Sequence, residues 1–224
     1  MNDRRKIERI AAWRLYVITD ESISKGRSHE EVARLAVAGG ADVIQLRDKT
    51  ASDRRLFEAA LRIRETTSNA GAVFIIDDRL DIALAANVDG LHIGLDDLPI
   101  RIARQLLGAG KILGVSARSV DEAVLAEREG ADYLGVGPVF EARGSKPDAG
   151  EPTGLDLLRE VRSRCIIPVV AIGGIDRSNA AAVIDAGADC AAVVSAVAGA
   201  DDITAATAEL TGIIQVAKSR RGQR

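Results

Sequence analysis

The stretch EGADYLGVG at residues 129–137 decides the fold, because its pattern recurs three more times along the chain. In each copy a small residue ends a helical segment, a polar corner follows, and an apolar strand comes next. Glycine suits the left-handed conformation that ends many helices, and a short loop then leads into the strand. We therefore interpret the pattern as one repeated unit of strand and helix. The other copies are GGADVIQLR at 39–47, NVDGLHIG at 87–94 and AGADCAAVV at 186–194.

Strand and helix patterns alternate on both sides of these copies, from about residue 15 to residue 218. Eight alternations within 224 residues match the (β/α)8 or TIM barrel, an α/β fold. A doubly wound open sheet would have fewer strands and a GxGxxG motif after the first, where this chain has TDESISKG. The predicted strands are 15–19, 42–46, 72–76, 90–93, 111–115, 132–136, 167–172 and 190–195.

The two ends of the chain fall outside this alternation. Residues 1–13 are charged and amphipathic, which predicts an extra N-terminal helix outside the barrel. Residues 219–224 predict a disordered basic tail. We therefore expect one barrel domain over residues 1–224.

Composition narrows the choice of partners. The chain has 30 basic and 33 acidic residues and a net charge of −3, which favours neither nucleic acid nor an anionic membrane surface. No apolar run approaches the ~18 residues of a membrane span, and the N-terminus lacks the apolar core of a signal peptide. Cys165 and Cys190 lie in apolar runs and predict buried, reduced thiols. We expect a cytoplasmic protein that binds small molecules.

The strand exits supply the candidate site residues, because a barrel of this kind builds its site from the carboxyl ends of the strands and the loops that follow. Apart from the loop GPVFEARGSKPDAG at 137–150 and the turn GGID at 173–176, the candidates are single polar residues at these exits. They are Gln45, Arg47, Asp48, Lys49, Asp77, Asp78, Asp96, Asp97, Ser116, Arg118 and Ser195.

Two acidic pairs, in FIIDDRL at 74–80 and HIGLDDLP at 92–99, follow neighbouring strands. Asp78 and Asp97 can therefore converge on one cation, and a small number of hard oxygen ligands suits Mg2+. The alternative is that these aspartates only cap the helices that follow, since aspartate is a good N-cap and Pro99 suits a first helical turn.

Basic residues at the same mouth suggest an anionic substrate. Arg47 and Lys49 are alternate residues that can point the same way, and Lys146 lies in a glycine-containing loop. Together with a metal ion, such cations suit a pyrophosphate group, unless they are only solvated loop charges. A second anion site is expected at IGGI 172–175 and VVS 193–195, although a tight turn also explains the two glycines.

The two histidines are weaker candidates. His29 begins a helix and is expected to be exposed. His92 lies inside a strand and is expected to be a hydrogen-bonded interior group rather than an acid or base. With the histidines far apart, no nucleophile and base arrangement is legible.

Seven segments, in this order and at this spacing, resemble the thiamine phosphate synthase family, and the resemblance covers about residues 14 to 198. It implies a (β/α)8 barrel that joins hydroxymethylpyrimidine diphosphate to a thiazole phosphate, giving thiamine phosphate and pyrophosphate with Mg2+. The segments are LYVITD, QLRDK, GLHIGLDDLP, GVSARS, GADYLGVGPVFEARGSKPDAG, VVAIGGI and AAVVSAV.

The resemblance also implies roles for individual residues. The metal ligands would be Asp78 and Asp97. The pyrophosphate would be drawn away by Mg2+ with the cations Arg47, Lys49 and Lys146, and no protein nucleophile is required. The pyrimidine diphosphate would contact Gln45, Arg47, Lys49, Asp77, Ser116 and Lys146, and the thiazole phosphate would contact Ser145, Gly174, Val194 and Ser195.

Four departures from the family pattern put some of these contacts in question. Asp77 stands where the family usually has Asn; an ionised Asp cannot donate a hydrogen bond, so it is protonated or makes another contact. Leu95 replaces a common Gln, and Arg118 stands where a His is usual. The loop EARGSK is one residue longer, which leaves Ala142 and Ser145 near the two threonines of the family.

Two other functions remain open from the sequence. One is the related thiazole tautomerase, whose catalytic histidine would fall in the segment GVSARS. The other is a catalytically silent barrel that binds a phosphate ligand, with Asp77, Leu95 and Ala142 as marks of a decayed site. A homodimer is also possible, since Leu35 and Val37 on an outer helix serve either an interface or the packing of the barrel.

Overall fold

Strand and helix alternate throughout the computed structural model, which describes residues 3–94, 96–141 and 150–222 of the chain. Ten helices and eight strands lie within these residues. The strands are β1 Leu15–Thr19, β2 Val43–Leu46, β3 Val73–Asp77, β4 Gly90–Ile93, β5 Ile112–Ala117, β6 Tyr133–Val136, β7 Val169–Ile172 and β8 Cys190–Val193. The helices are α1 Asp3–Ala11, α2 His29–Ala38, α3 Asp53–Ala70, α4 Leu80–Ala85, α5 Ile100–Leu107, α6 Val120–Arg128, α7 Gly154–Arg164, α8 Ala180–Asp185, α9 Ser195–Ala198 and α10 Ile203–Arg221.

The eight strands form one closed parallel barrel in sequence order. Each strand pairs with the next along the chain, and β8 closes the barrel by pairing Ala191 with Leu15 of β1. The predicted α/β (β/α)8 barrel with its extra N-terminal helix is therefore confirmed. The predicted strand bounds differ from the observed ones by no more than two residues.

The C-terminal segment differs from its prediction. Residues 219–221, expected to belong to a disordered tail, are the last residues of α10. The Arg221 guanidinium donates hydrogen bonds to Asp189 Oδ1 at 2.9 Å and to the carbonyl of Ala188 at 2.6 Å. These tertiary contacts hold the last helical turn against the barrel, and a charge run in the sequence does not reveal them. Residues 223–224 lie outside the described residues.

The aspartate in each copy of the repeat binds the start of a neighbouring strand. Asp89, Asp132 and Asp189 each use Oδ2 to accept the backbone N–H of Phe74, Leu113 and Val169, at 2.8, 2.8 and 2.9 Å. Asp42 accepts the N–H of Leu15 in the same way at 3.2 Å. A buried backbone N–H without a partner costs free energy, so the repeat satisfies four such donors at the amino ends of the strands.

The glycines that end helices of the repeat adopt the predicted left-handed conformation, and in one copy an asparagine does so instead. Gly130 and Gly187 have φ values of 101° and 114°, and Asn87 takes the corresponding position in its copy with φ 50°. Glycine reaches this region without a steric penalty, and asparagine tolerates it better than most residues. Each helix can therefore turn sharply into its strand.

The apolar core has two layers. One lies between the strands and the outer helices, and it includes Leu35 and Val37, which pack against it. The other fills the barrel interior, where Ile10 of α1 and Trp13, just after α1, pack below Tyr16 and Tyr133. The predicted N-terminal helix thus closes the bottom of the barrel, at the end opposite the strand exits.

The structure bears on two further features of the sequence, the state of the cysteines and the apolar character of the helices. Cys165 and Cys190 are both buried and unpaired, as predicted. In the described ranges, none of the helices combines the length and the apolar character needed to cross a bilayer.

Candidate active site

A cavity of about 320 Å³ opens at the carboxyl ends of the strands. Successive side chains of a strand point to opposite faces, so alternate residues share the barrel interior. The lining follows this rule most clearly on two strands: β2 and its exit contribute residues 45, 47 and 49, and β5 and its exit contribute residues 116 and 118. The position of each polar side chain is thus set by its register in the barrel.

Ten of the twelve predicted site residues belong to the described residues, and all ten line this cavity. They are Gln45, Arg47, Lys49, Asp77, Asp78, Asp97, Ser116, Gly174, Val194 and Ser195. Ser145 and Lys146 lie outside the described residues, as do Leu95 and Ala142.

Asp78 and Asp97 meet at the exits of β3 and β4. The backbone of Asp78 has φ 57°, and its N–H donates to the carbonyl of His92 at 2.8 Å. Asp97 accepts the N–H of Gly94 at 2.7 Å, and its carboxyl group interacts electrostatically with that of Asp78. Burial and the Asp78 carboxylate raise the pKa of Asp97 above its ordinary value. The structure therefore holds two like charges side by side at the cavity rim.

The two cations of the β2 exit pair with neighbouring aspartates. The Lys49 ammonium contacts the Asp78 carboxylate. Burial lowers the pKa of Lys49, but the surrounding carboxylates outweigh this effect and raise it overall. Arg47 Nε lies 3.4 Å from Asp77 Oδ2. Positive and negative side chains thus alternate around one side of the cavity.

Asp48, between these two cations, points away from the cavity and fixes their loop. Its Oδ1 accepts the N–H groups of Thr50 and Ala51, both at 2.8 Å, and its Oδ2 lies 3.2 Å from His29 Nε2. Burial opposes ionisation, but these hydrogen bonds outweigh it and lower the pKa of Asp48 to about 2. The loop that presents Arg47 and Lys49 is therefore anchored from behind.

His29 was expected to be exposed, and this expectation was wrong. Its side chain is buried, with 3% of the residue exposed. Nδ1 lies 2.7 Å from the Thr19 hydroxyl, and Nε2 reaches Asp48. A histidine at a helix start looks solvated in sequence, and its burial depends on contacts with β1 and the β2 loop.

The floor of the cavity is a layer of polar side chains that sequence reasoning only partly identified. His92 is hydrogen-bonded to Ser116 and to Tyr133, as expected of an interior group. Tyr16 and Tyr133 also line the cavity, and burial raises the pKa of both phenols. The period of two on β1 and β6 was the signal that would have placed these tyrosines on the interior face.

The two glycines after β7 are required by close packing. A Cβ added at Gly173 would lie 2.5 Å from Pro138 Cα, and one at Gly174 would lie 2.5 Å from the carbonyl oxygen of Glu141. Both glycines have positive φ values, 102° and 60°. Gly174 nevertheless lines the cavity together with Val194 and Ser195, the first residue of α9. Gly174 therefore belongs both to the tight turn after β7 and to the predicted anion site.

Arg118 lies on the cavity wall at the exit of β5. Its backbone N–H donates to Glu122 Oε2 at 2.6 Å, which fixes the start of α6. The side chain adds a third positive charge to the described part of the cavity. A guanidinium stays protonated near neutral pH, so Arg118 cannot exchange a proton as a histidine would.

Comparison with known proteins identifies close relatives. The family model described as thiamine monophosphate synthase matches residues 15–197. The thiamine-phosphate synthase of Chloroflexus aurantiacus is 53% identical over 214 residues, covering 96% of this chain and 98% of that protein. That of Methanocella arvoryzae is 56% identical over 200 residues, covering 89% and 94%. The thiamine phosphate pyrophosphorylase structure from Pyrococcus furiosus superposes with a TM-score of 0.86 at 42% identity, covering 94% and 98%.

Proposed function

The chain belongs to the thiamine monophosphate synthase family, and we propose that it joins hydroxymethylpyrimidine diphosphate to a thiazole phosphate or its carboxylated form. The products are thiamine phosphate and pyrophosphate, so the chain is a transferase of thiamine biosynthesis. The observation that carries the proposal is that Lys49 meets Asp78, and Asp78 adjoins Asp97, in one cavity of the barrel.

Asp78 and Asp97 are the residues that would hold Mg2+. Burial and the adjacent Asp78 carboxylate raise the pKa of Asp97, and a divalent cation would relieve the repulsion between the two carboxylates. Asp78 also has a left-handed backbone, a strained conformation that is often kept at functional sites. When bound, Mg2+ neutralises negative charge on the diphosphate and on the pyrophosphate that departs.

Arg47 and Lys49 would bind the diphosphate, with Lys146 added by the family resemblance. Both described cations already lie at the cavity with their charged groups held by aspartates, so phosphate oxygens would replace or share these partners. Fixed positive charges favour the leaving pyrophosphate more strongly than the ground-state ester, because negative charge develops there as the C–O bond breaks.

The remaining residues would orient the two organic groups. Gln45 and Ser116 lie on opposite sides of the cavity floor and would contact the pyrimidine diphosphate. Gly174, Val194 and Ser195 would hold the thiazole phosphate, with Ser145 added by the resemblance. The methylene carbon loses its bond to the diphosphate oxygen and gains one to the thiazole nitrogen. No protein nucleophile takes part, so positioning and charge supply the acceleration.

The two alternatives are less well supported. The tautomerase would need a proton-transferring residue in GVSARS, where the guanidinium of Arg118 lines the cavity. A catalytically silent barrel that only binds a phosphate ligand would not need two neighbouring carboxylates, Asp78 and Asp97, beside Lys49.

Small molecules are the proposed partners, and a cytoplasmic location and a homodimer remain predictions. Leu35 and Val37 pack on the core of their own chain, so they support barrel packing rather than an interface. A dimer would instead use exposed apolar side chains such as Ile102 and Leu106 of α5, which are 44% and 54% exposed.

One assay separates the three functions. Purified protein is incubated with both substrates and Mg2+, and thiamine phosphate and pyrophosphate are followed with time. A synthase forms both products, and a chelator or Asp97→Ala abolishes them. Thiazole isomerisation without coupling and without metal would select the tautomerase, and ligand binding with neither reaction would select the silent barrel.

A further inference from the structure

A chain of hydrogen-bonded side chains crosses the barrel interior at the floor of the cavity. Gln45 Nε2 donates to the Tyr16 hydroxyl at 2.9 Å, and the Tyr16 and Tyr133 hydroxyls are 2.9 Å apart. The Tyr133 hydroxyl lies 3.0 Å from His92 Nδ1, and His92 Nε2 lies 3.0 Å from Ser116 Oγ. Five strands contribute one residue each, and the two ends of the chain are predicted substrate contacts.

Two glycines on neighbouring strands leave space for the side chains of this hydrogen-bonded chain. A Cβ added at Gly114 would lie 2.0 Å from Tyr133 Cζ, and one at Gly135 would lie 2.9 Å from His92 Cε1. From below, the Trp13 ring contacts the Tyr133 ring edge-on with centroids 5.6 Å apart. Neighbouring strands and α1 therefore fix the positions of the Tyr133 and His92 rings.

The donors and acceptors give the chain one direction. An amide nitrogen only donates, so Tyr16 accepts from Gln45, and its own proton goes to Tyr133. Tyr133 then donates to His92 Nδ1, which places the ring proton on Nε2. In the opposite direction Tyr16 would accept from both described partners. Its buried hydroxyl proton would have no acceptor among them, and a buried donor without an acceptor destabilises the fold.

We propose that Tyr16, Tyr133 and His92 are positioning residues that turn the Ser116 hydroxyl proton toward the cavity. His92 Nε2–H donates to Ser116 Oγ, so the serine uses its own proton for an oxygen of the diphosphate substrate. The same hydrogen-bonded chain fixes the orientation of the Gln45 amide. The two predicted substrate contacts at its ends, Gln45 and Ser116, are therefore positioned together. The statement that the acceptor is an oxygen of the diphosphate rests on the proposed function. The direction of the hydrogen bonds from Gln45 to Ser116 is independent of that function.

The first test is nitrogen NMR of the histidine rings in the full-length protein. The chain has two histidines, so His92→Gln assigns the signals. In the unmodified protein we expect His92 to carry its proton on Nε2 with Nδ1 unprotonated. Tyr133→Phe removes the donor to Nδ1 and should produce a mixture of the two tautomers. A proton on Nδ1 in the unmodified protein, alone or together with Nε2, would overturn the proposal.

The second test is a double-mutant cycle on kcat/KM for the pyrimidine diphosphate. Tyr133→Phe is expected to lower it by about tenfold to a hundredfold through misplacement of the serine hydroxyl, with KM for the thiazole phosphate unchanged. In the Ser116→Ala background the same change should cost less than about twofold, because its effect acts through Ser116. An equal loss in both backgrounds would contradict the positioning role. Tyr16→Phe serves the same cycle if Tyr133→Phe does not fold.

Thr67→Val is the matched control. It removes a fully buried hydroxyl of α3 that bonds to the carbonyl of Ile63 at 3.0 Å, so it also lowers stability. It should leave the His92 spectrum and kcat/KM unchanged; a comparable loss would make stability the cause and overturn the proposal. The spectrum needs no substrate. An inactive protein with His92 protonated on Nε2 would therefore contradict the proposed function while supporting the directed chain.

Discussion

Arg47 Nε lies 3.4 Å from Asp77 Oδ2, so the aspartate that replaces the usual asparagine of the family is the ion-pair partner of a predicted substrate-binding arginine. The two side chains are 21% and 11% exposed. A carboxylate at this position competes with the diphosphate for the guanidinium. The aspartate at position 77 therefore affects Arg47 as well as the predicted contact with the pyrimidine.

Asp77→Asn should tighten binding of the pyrimidine diphosphate, because Arg47 loses its competing partner. A partly buried ion pair of this kind is worth up to about 1 kcal/mol, so KM should fall by about two- to fivefold. Steady-state kinetics with varied diphosphate measures the change. As a control, Asp81→Asn removes a carboxylate that pairs with Arg79, a residue outside the cavity lining. A raised KM for Asp77→Asn would mean that the carboxylate itself contacts the substrate.

Asp78→Asn and Asp97→Asn should each lower the coupling rate by roughly a hundredfold or more, because each removes a ligand charge for Mg2+. Asparagine tolerates the left-handed backbone of Asp78, so the loss reports on charge rather than strain. Calorimetric titration with Mg2+ should show weaker binding in both variants. Asp96→Asn, an exposed neighbour, is the control and should keep most of the rate. Full activity in excess chelator would rule out the metal site.

Asp97→Asn should also stabilise the metal-free protein near neutral pH. The raised pKa means that the folded state holds the Asp97 proton more tightly than the unfolded state, so stability falls as pH rises from the ordinary aspartate pKa to the raised one. The variant avoids this loss. Thermal unfolding in chelator should show a higher Tm for the variant at pH 7 and a shrinking difference below the ordinary aspartate pKa. Mg2+ should raise Tm more in the unmodified protein than in the variant.

Asp48→Asn should destabilise the fold by roughly 2 kcal/mol at pH 7, because the lowered pKa of Asp48 measures how strongly the folded state favours its charge. For a lowered pKa this stability is present above the ordinary aspartate value and is lost as pH falls to about 2. The difference between variant and parent should therefore shrink over that window in urea unfolding. Asp156→Asn, at an 87% exposed side chain, should change stability by less than about 0.5 kcal/mol.

Gly114→Ala should destabilise the barrel by about 3 kcal/mol or more, because its methyl group would overlap the Tyr133 ring. Gly212→Ala provides the opposite case: it lies inside α10 with nothing within 4 Å of the added Cβ, and should stabilise by about 0.5–1 kcal/mol. Urea unfolding of both variants measures the difference. Comparable stabilities would mean that Tyr133 moves aside without cost.

The features that sequence predicted well depend on local patterns. The repeat around Asp132 contains its own helix end, corner and strand, so the order of the elements could be read directly. The alternation of side chains after β2 likewise placed Arg47 and Lys49 on one face. The features that it missed join distant segments: Tyr16 and Tyr133 bond across 117 residues of chain, and His29 is buried by contacts with Thr19 and Asp48.

Lys6, 3% exposed, ties α1 to residues made much later in synthesis. Its ammonium bonds to the carbonyl of Ala109 at 2.8 Å and to Asp132 at 3.0 Å, which lie 103 and 126 residues further along the chain. At ribosomal speeds of ~5–20 residues per second, about ten seconds separate the synthesis of Lys6 from that of Asp132. The amphipathic α1 cannot dock until this part of the nascent chain has been synthesised. Its apolar face is therefore accessible to an early-acting chaperone during that interval.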